Sequence, residues 1–288
     1  AALLFMLLGM NPFDAVCHAF STLATGGYST KNASIGHFDS WALDGITTLF
    51  MLLAGVNFTL YFLLLRGRFN AFWKNGELRV YLTITLIVSL CIAFNISDRH
   101  EGFSEAVRYA SFQTLAVLTG TGFSTDDFDK YPAFSKMLLV CLMFVGGCAG
   151  STAGGMKIAR IMVVFKVAYQ EPYRVFRPQA RMSVRISGNV VKDEVVHSIL
   201  DFFTSFIILF AFGAIFMAAL GLDLITAATS VAACLGNIGP GLSRVGAVEN
   251  YAHIPSLGKV FLAFCMTLGQ LELGTLLVLF VPDFWRRR

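Results

Sequence analysis

The 288-residue chain is 56% apolar and only 14% charged, with a mean hydropathy of +0.68 and a formal net charge of +4. This balance is far from that of a soluble globular domain, and the small net charge gives no reason to expect a nucleic-acid partner. Several apolar runs reach or approach the roughly 20 residues that a helix needs to cross a bilayer. We therefore expect a multi-pass membrane protein and no enzyme.

Apolar runs and helix breakers predict a series of long and short helices. The first half of the chain gives a partial helix at 1–10, a short amphipathic segment at 12–24, a spanning helix at 41–65, a basic connector at 66–79, a spanning helix at 80–96 and a short segment at 103–119. The second half gives a long apolar stretch at 134–166, a basic connector at 167–192, a spanning helix at 193–220, a short segment at 222–236 and a last spanning helix at 255–281. The recurring order of long and short helices indicates an internal repeat.

Each of the three short segments ends in a related glycine-bearing loop. The loops read LATGGYST at 23–30, LTGTGFST at 118–125 and LGNIGPGL at 235–242, and each places a glycine four residues after a leucine. Non-helical backbone at membrane depth is tolerated where it lines a water-filled cavity, and its carbonyl groups can replace the hydration shell of a monovalent cation. We therefore predict short re-entrant helices that end in an ion filter. Re-entrant hairpins that serve only packing are the alternative.

Basic residues indicate how the chain is oriented in the membrane. The connectors 66–79 and 157–192 and the tail 286–288 hold fifteen of the twenty-two Lys and Arg residues, which assigns their side to the cytoplasm. The filter loops then open to the other side. Acidic residues on that side would favour cations at the mouth of a pore: Asp39, Asp98, Glu101, Asp126, Asp127 and Asp129.

The sequence GGCAGSTAGGMKIAR, residues 146–160, contains five glycines inside the long apolar stretch. A straight helix over 134–166 would be about 50 Å long, so we expect a break, with Ser151 and Thr152 bonding the exposed backbone. One alternative is tight helix packing through small residues spaced by four. A phosphate loop is the other, but that motif places a lysine directly after its second glycine, and here another residue precedes Lys157.

These motifs carry a family resemblance. The first loop contains Thr25-Gly26-Gly27-Tyr28-Ser29, which resembles the TVGYG filter of potassium channels. The three loops, the glycine-rich stretch and the closing LVLFVPDFWR together resemble the TrkH/TrkG/KtrB/HKT superfamily of potassium and sodium transporters, and its bacterial TrkH branch most. The resemblance implies an all-α integral membrane fold with potassium-channel-like M1-P-M2 repeats and pseudo-fourfold symmetry.

The three loops match repeats two, three and four, so we expect the first repeat to be absent from this chain. The expected division is 1–66 for the second repeat with a truncated first helix, 67–166 for the third repeat with a broken inner helix, and 167–288 for a cytoplasmic connector and the fourth repeat.

The resemblance also implies two groups of site residues. The selectivity filter is expected at Thr25, Gly26, Gly27, Gly120, Thr121, Gly122, Asn237, Ile238 and Gly239, with potassium on the backbone of Gly27, Gly122 and Gly239. The intramembrane gate is expected at Gly146, Gly147, Gly150, Ser151, Thr152, Gly154, Gly155 and Gln270. The family typically has an arginine in a GRLE-like motif where this chain has Gln270, so we expect a weaker barrier beneath the filter.

The same resemblance implies that the protein takes up potassium across a bacterial inner membrane and that it is a homodimer. It would contact membrane lipids and a cytoplasmic nucleotide-binding regulatory subunit that is TrkA-like, with no nucleotide on this chain. A sodium-conducting protein or an ion-coupled carrier is the alternative, for which Asp201 and Glu272 are the candidate coupling residues. Six single cysteines lack metal-ligand spacing, so we expect no metal other than the transported ion.

Overall fold

The computed structural model describes residues 1–176, 183–270 and 285. Within them α-helices dominate. They are α1 (Ala2–Leu7), α2 (Pro12–Leu23), α3 (Trp41–Ala54), α4 (Phe58–Leu65), α5 (Phe69–Lys74), α6 (Gly76–Ile96), α7 (Phe103–Leu118), α8 (Ala133–Met143), α9 (Ile158–Phe176), α10 (Asp193–Ala219), α11 (Leu224–Leu235) and α12 (Ser256–Gln270). A short antiparallel hairpin of β1 (Arg185–Ile186) and β2 (Asn189–Val190) precedes α10.

The three short segments predicted from the sequence are helices α2, α7 and α11. Each packs against the helices that precede and follow it: α2 on α1 and α3, α7 on α6 and α8, and α11 on α10 and α12. Side-chain caps fix where two of them begin, because Asn11 accepts the Asp14 N–H at 2.7 Å and Asp223 accepts the Thr226 N–H at 3.1 Å. Each short helix is therefore held between the two helices adjacent to it in the chain.

Two described helices are long and apolar enough to cross a membrane. They are α6 with the turn that follows it, Gly76–Arg99, and α10, Asp193–Ala219. A third candidate is the pair α3 and α4, which are bent by 93° relative to each other. The predicted last span at 255–281 is described only as far as Gln270, as helix α12.

The predicted spanning segment at 41–65 is not one continuous helix, because the chain breaks between α3 and α4. At the break, Asn57 Oδ1 accepts the Thr59 N–H at 2.8 Å and so caps the new helix. Gly55 lies against the buried Tyr81, whose hydroxyl would be 2.3 Å from a Cβ at that position. The helix therefore ends here although the surrounding sequence is largely apolar, because a capping residue starts a new helix and an aromatic side chain packs against the break.

Two connectors contain more regular structure than predicted. Residues 66–79 include α5 and the beginning of α6, and residues 167–192 include the second half of α9. The short hairpin is an addition to the predicted all-α fold, which the described helices otherwise match. Its central residues, Ser187 and Gly188, have φ values of 50° and 86°, the left-handed geometry that two-residue hairpins favour.

The break predicted within 134–166 is present: α8 ends at Met143 and α9 begins at Ile158. Two clusters of buried side chains lie on either side of this region. One consists mostly of residues from α1 to α9, such as Tyr81 and Phe112, and the other mostly of residues from α10 to α12, such as Phe206. Helix α8 also contacts α11, so the broken segment lies where the two parts of the fold meet.

Candidate functional site

The three glycine-bearing loops share one backbone conformation. In each, the glycine after the short helix and the residue two before it have positive φ. The values are 51° at Thr25 and 67° at Gly27, 69° at Gly120 and 73° at Gly122, and 53° at Asn237 and 100° at Gly239. Residues with a side chain seldom adopt this region, so its recurrence at Thr25 and Asn237 indicates a structural repeat and not chance.

Neighbouring loops meet through their glycines. A Cβ on Gly27 would lie 1.8 Å from the carbonyl oxygen of Thr121, and a Cβ on Gly122 would lie 1.7 Å from that of Ile238. The first loop therefore contacts the second in the same way that the second contacts the third. Repeated units arranged around an axis contact one another in this way. At Gly239 no described atom lies within 4 Å in the same direction. A side chain at Gly27 or Gly122 would push adjacent loops apart.

Helix ends supply the electrostatics of the three loops. Helices α2, α7 and α11 end at Leu23, Leu118 and Leu235, directly before the loops. The C-terminal end of a helix carries a partial negative charge from its unpaired carbonyl groups. Because the three loops are in contact, these ends converge on one small region, and that region favours a cation without any acidic side chain.

The intramembrane loop, which we define as residues 144–157, folds back on itself. The Gly146 N–H donates to the Met156 carbonyl at 2.7 Å, and the Ile158 N–H donates to the Gly147 carbonyl at 3.1 Å. A Cβ on Gly146 would lie 2.2 Å from the carbonyl oxygen of Gly154. Its glycines therefore allow the two limbs of the loop to lie side by side.

The break between α3 and α4 binds this loop. The Cys148 N–H donates to the Gly55 carbonyl at 2.9 Å, and the Phe58 N–H donates to the Gly150 carbonyl at 3.1 Å. Backbone groups left unpaired by a break must find partners when water is scarce. The two helix breaks thus supply each other's hydrogen bonds. Ser151 adds a local one, from its Oγ to the Cys148 carbonyl at 2.6 Å.

The intramembrane loop touches the base of all three glycine-bearing loops. Thr152 Oγ1 donates to the carbonyl of Leu23, the last residue of α2, at 3.1 Å. A Cβ on Gly154 would lie 2.5 Å from the Gly236 carbonyl oxygen, and a Cβ on Gly120 would lie 3.4 Å from the Gly154 nitrogen. The loop therefore lies across the ends of the three short helices.

A cavity of about 450 Å³ opens on one side of the loops. It is lined by Gly27 and Gly122 and by residues that follow the third loop, with Lys31 and Glu249 as its charged members. None of the six acidic residues expected at this mouth lines it. At least two are paired elsewhere: Asp39 with Arg108 at 3.2 Å, and Asp127 with Lys130 at 3.1 Å. The six acidic residues therefore lie outside the wall of this cavity, and these two are held by basic partners.

A second cavity, of about 310 Å³, lies on the side of the intramembrane loop. Residues 151–155 line it together with Lys157, Arg160, Phe202 and Gln270. Arg160 lies over the Phe202 ring, 4.2 Å from its centre. The glycines of the first two loops thus face one cavity, while the intramembrane loop and two basic residues face the other.

Comparison with known proteins decides the family. The family profile described as "TrkH: Cation transport protein" matches residues 7–287. The chain belongs to this family. It is 38% identical over 288 residues to the Trk system potassium uptake protein TrkH of Escherichia coli K12, and 37% identical to that of Salmonella typhimurium.

A solved relative has the same fold. The crystal structure of the potassium transporter TrkH from Vibrio parahaemolyticus superposes with a TM-score of 0.92 at 36% identity, over 99% of this chain and 61% of that one. The chain spans 59% of the length of the two curated TrkH relatives. It therefore corresponds to a little over half of a TrkH protein.

The structure brings the predicted site residues of this TrkH chain together in two layers. The nine filter residues form the three contacting loops, and the gate residues other than Gln270 form the intramembrane loop beneath them. Gln270 ends the described part of α12 and lines the second cavity. Thr25 joins the layers, because its Oγ1 lies 2.9 Å from the Thr152 carbonyl oxygen and can donate to it.

Sequence analysis missed three residues that hold the intramembrane loop: Gly55, Asn57 and Glu77. Gly55 and Asn57 interrupt an otherwise apolar run, and this interruption is the sequence feature that could have predicted the break. Glu77 was assigned to a basic connector, although an acidic residue before an apolar run is typical of a helix start. Its contacts with the loop depend on tertiary structure and leave no local pattern.

The alternatives for the glycine-rich stretch find no support in the geometry. The glycines spaced by four lie in a non-helical loop, so they do not form a helix-packing face. The element before the stretch is helix α8, whereas a phosphate loop follows a strand. Of the carrier candidates, Asp201 is exposed on α10, and Glu272 lies outside the described residues.

Proposed function

We propose that this chain forms most of the pore of a potassium uptake protein. The three glycine-bearing loops would be its selectivity filter, and the intramembrane loop would be its gate. The observation that carries the proposal is the convergence of three helix C-termini on contacting loops, with the intramembrane loop across their base. The two curated relatives are both named potassium uptake proteins.

In this mechanism potassium enters from the cavity that Gly27 and Gly122 line. It exchanges hydration water for backbone carbonyls at Gly27, Gly122 and Gly239, and the negative helix ends offset part of the cost of dehydration. The ion moves down its electrochemical gradient. In the present arrangement the intramembrane loop lies below the filter, so conduction requires the loop to move aside.

The surrounding assembly is part of the same proposal. Each short helix and its two neighbours form one M1-P-M2 repeat, and a fourth filter loop from a first repeat would complete the ring next to Gly239. The protein would lie in the bacterial inner membrane as a homodimer with lipid around it. A TrkA-like nucleotide-binding subunit would act from the basic, cytoplasmic side.

A sodium-conducting pore or an ion-coupled carrier remains the second candidate function. Carbonyl filters distinguish potassium from sodium by the number and spacing of their oxygens, and both ions fit the electrostatics described above. No described acidic residue lies in the filter loops, which favours a pore over a proton-coupled carrier.

A flux assay on the complete protein in liposomes tests the proposal. We expect potassium to pass faster than sodium, and Gly122→Ser to reduce that ratio by about tenfold or more, because a side chain there forces two filter loops apart. Gly67→Ser is the matched control: Gly67 has nearly the same φ, 74° against 73°, but no atom of the described residues lies within 4 Å of its Cβ position. An unchanged ion ratio in Gly122→Ser would exclude the filter assignment.

A further inference from the structure

Glu77 is a buried carboxylate that the pore does not use. It is the second residue of α6, only 7% exposed, and lies near the basic connector that marks the cytoplasmic side. One of its oxygens, Oε1, accepts the Ala149 N–H at 2.6 Å and the Ala159 N–H at 3.1 Å. A buried carboxylate is costly unless it is bonded in this way.

The two N–H groups lie on opposite sides of the helix break. Ala149 belongs to the intramembrane loop, and Ala159 lies in the first turn of α9, after the loop. First-turn N–H groups have no partner within their own helix and carry the positive end of its dipole. A single carboxylate oxygen therefore ties the loop and the beginning of α9 to the neighbouring helix α6.

We propose that Glu77 is a positioning residue that holds the intramembrane loop in its place beneath the filter. It acts through the backbone of Ala149 and Ala159 and does not touch the ion. This inference rests on the proposed function, in which that loop is the gate. It predicts that loss of the carboxylate weakens the blocking position of the loop and leaves the filter unchanged.

The contacts distinguish this role from general packing. Glu77 bonds to backbone N–H groups, so its effect depends on where the loop lies, and the charge of Lys157 in the loop adds an attraction. Helix α6 also packs along α7, whose end carries the second filter loop. The carboxylate thus fixes the gate relative to the same helix pair that positions the filter.

The test uses the complete protein in liposomes, with two measurements on each variant. Basal potassium flux per reconstituted protein reports the gate, and hydrogen exchange of residues 146–157 reports how firmly the loop is held. We expect Glu77→Ala to raise both, the flux by about tenfold, since a hydrogen bond to a charged group is stronger than a neutral one. Glu77→Gln keeps an acceptor oxygen and should stay within about twofold of the wild-type flux. Neither variant should change the potassium-to-sodium ratio.

Asp44→Asn is the matched control for loss of a buried carboxylate. Asp44 is 2% exposed and accepts from Arg108 Nε at 2.7 Å, with no contact to the intramembrane loop among the described hydrogen bonds. We expect this variant to unfold at a lower temperature without raised flux. If Glu77→Ala cannot be purified, Glu77→Asp carries the test, because its shorter side chain cannot reach both N–H groups.

The outcomes separate this inference from the proposed function. Wild-type flux and wild-type exchange in Glu77→Ala or Glu77→Asp would overturn it. An equal rise in flux in Asp44→Asn would also overturn it, since general destabilisation would then explain both. If the wild-type protein passes no potassium, the proposed function fails, and faster exchange of the loop in Glu77→Ala still supports a positioning role.

Discussion

At the residue scale, Asp14 joins the start of α2 to the chain that leaves the first filter loop. Its carboxylate accepts the Thr30 hydroxyl at 2.6 Å and the Asn11 amide at 2.8 Å, and it pairs with Lys31 at 3.2 Å. These contacts lower the pKa of Asp14 below its usual value. The Thr30 hydrogen bond is the largest cause, and Lys31 and Asn11 add to it. A lowered pKa in the folded state stabilises the protein above the usual carboxyl pKa, and that stability is lost as the pH falls through the lowered value.

The hydroxyl of Thr30 can be tested directly. We expect Thr30→Val to raise the pKa of Asp14, so that acid unfolding of the protein, followed by circular dichroism, begins at a higher pH. Thr125 holds the same position after the second loop, and its hydroxyl has no hydrogen-bond partner in the described structure. Thr125→Val is therefore the control and should leave acid unfolding unchanged. The same shift in both variants would show that Asp14 is not its source.

At the element scale, the sequence predicted the short helices and their loops closely because their ends are encoded locally. A capping residue precedes α2 and α11, and glycine at a positive φ follows each short helix. The break at Gly55–Asn57 was missed because hydrogen bonds to residues distant in the chain, Cys148 and Gly150 among them, stabilise it. The contacts of Glu77 were missed for the same reason.

The intramembrane loop is the element whose removal tests gating most directly. Deleting residues 149–152 should raise potassium flux if the loop blocks the pore. Thr152→Val is the milder change, because it removes one hydroxyl that lies 3.1 Å from the Leu23 carbonyl and 3.3 Å from the Ala54 carbonyl. We expect it to raise flux by about fivefold, since one hydrogen bond contributes about 1 kcal/mol.

Thr267→Val serves as the control for that substitution, because the one hydrogen bond of the Thr267 hydroxyl among the described residues is within α12, to the Ala263 carbonyl at 2.9 Å. Its flux should match the wild type. If the loop deletion and Thr152→Val reduce only the amount of folded protein, with unchanged flux per molecule, the loop serves packing and is not a gate.

At the scale of the whole molecule, the proposed ion route would join the two cavities past the intramembrane loop, and the charged residues that line the two cavities differ. The cavity on the filter side carries Lys31 and Glu249, whereas the cavity beneath the loop carries Lys157 and Arg160 and no described acidic residue in its lining. Gln270 lines the second cavity from α12, together with Lys157 of the intramembrane loop and Arg160 of α9. In the proposed mechanism, an ion that leaves the filter would meet the charges of Lys157 and Arg160, and the side chain at position 270 would change the electrostatic barrier there.

Gln270→Arg should lower potassium flux through the complete protein, because a third positive charge in a cavity of about 310 Å³ raises the electrostatic cost for a cation. An interaction of about 1 kcal/mol gives roughly a fivefold loss, and it should shrink as salt is raised. Gln270→Met, which is similar in size but uncharged, separates charge from bulk and should conduct like the wild type. Equal flux in the wild type and in Gln270→Arg would contradict the idea that this position sets a barrier, and an equal loss in Gln270→Met would assign the effect to the size of the side chain.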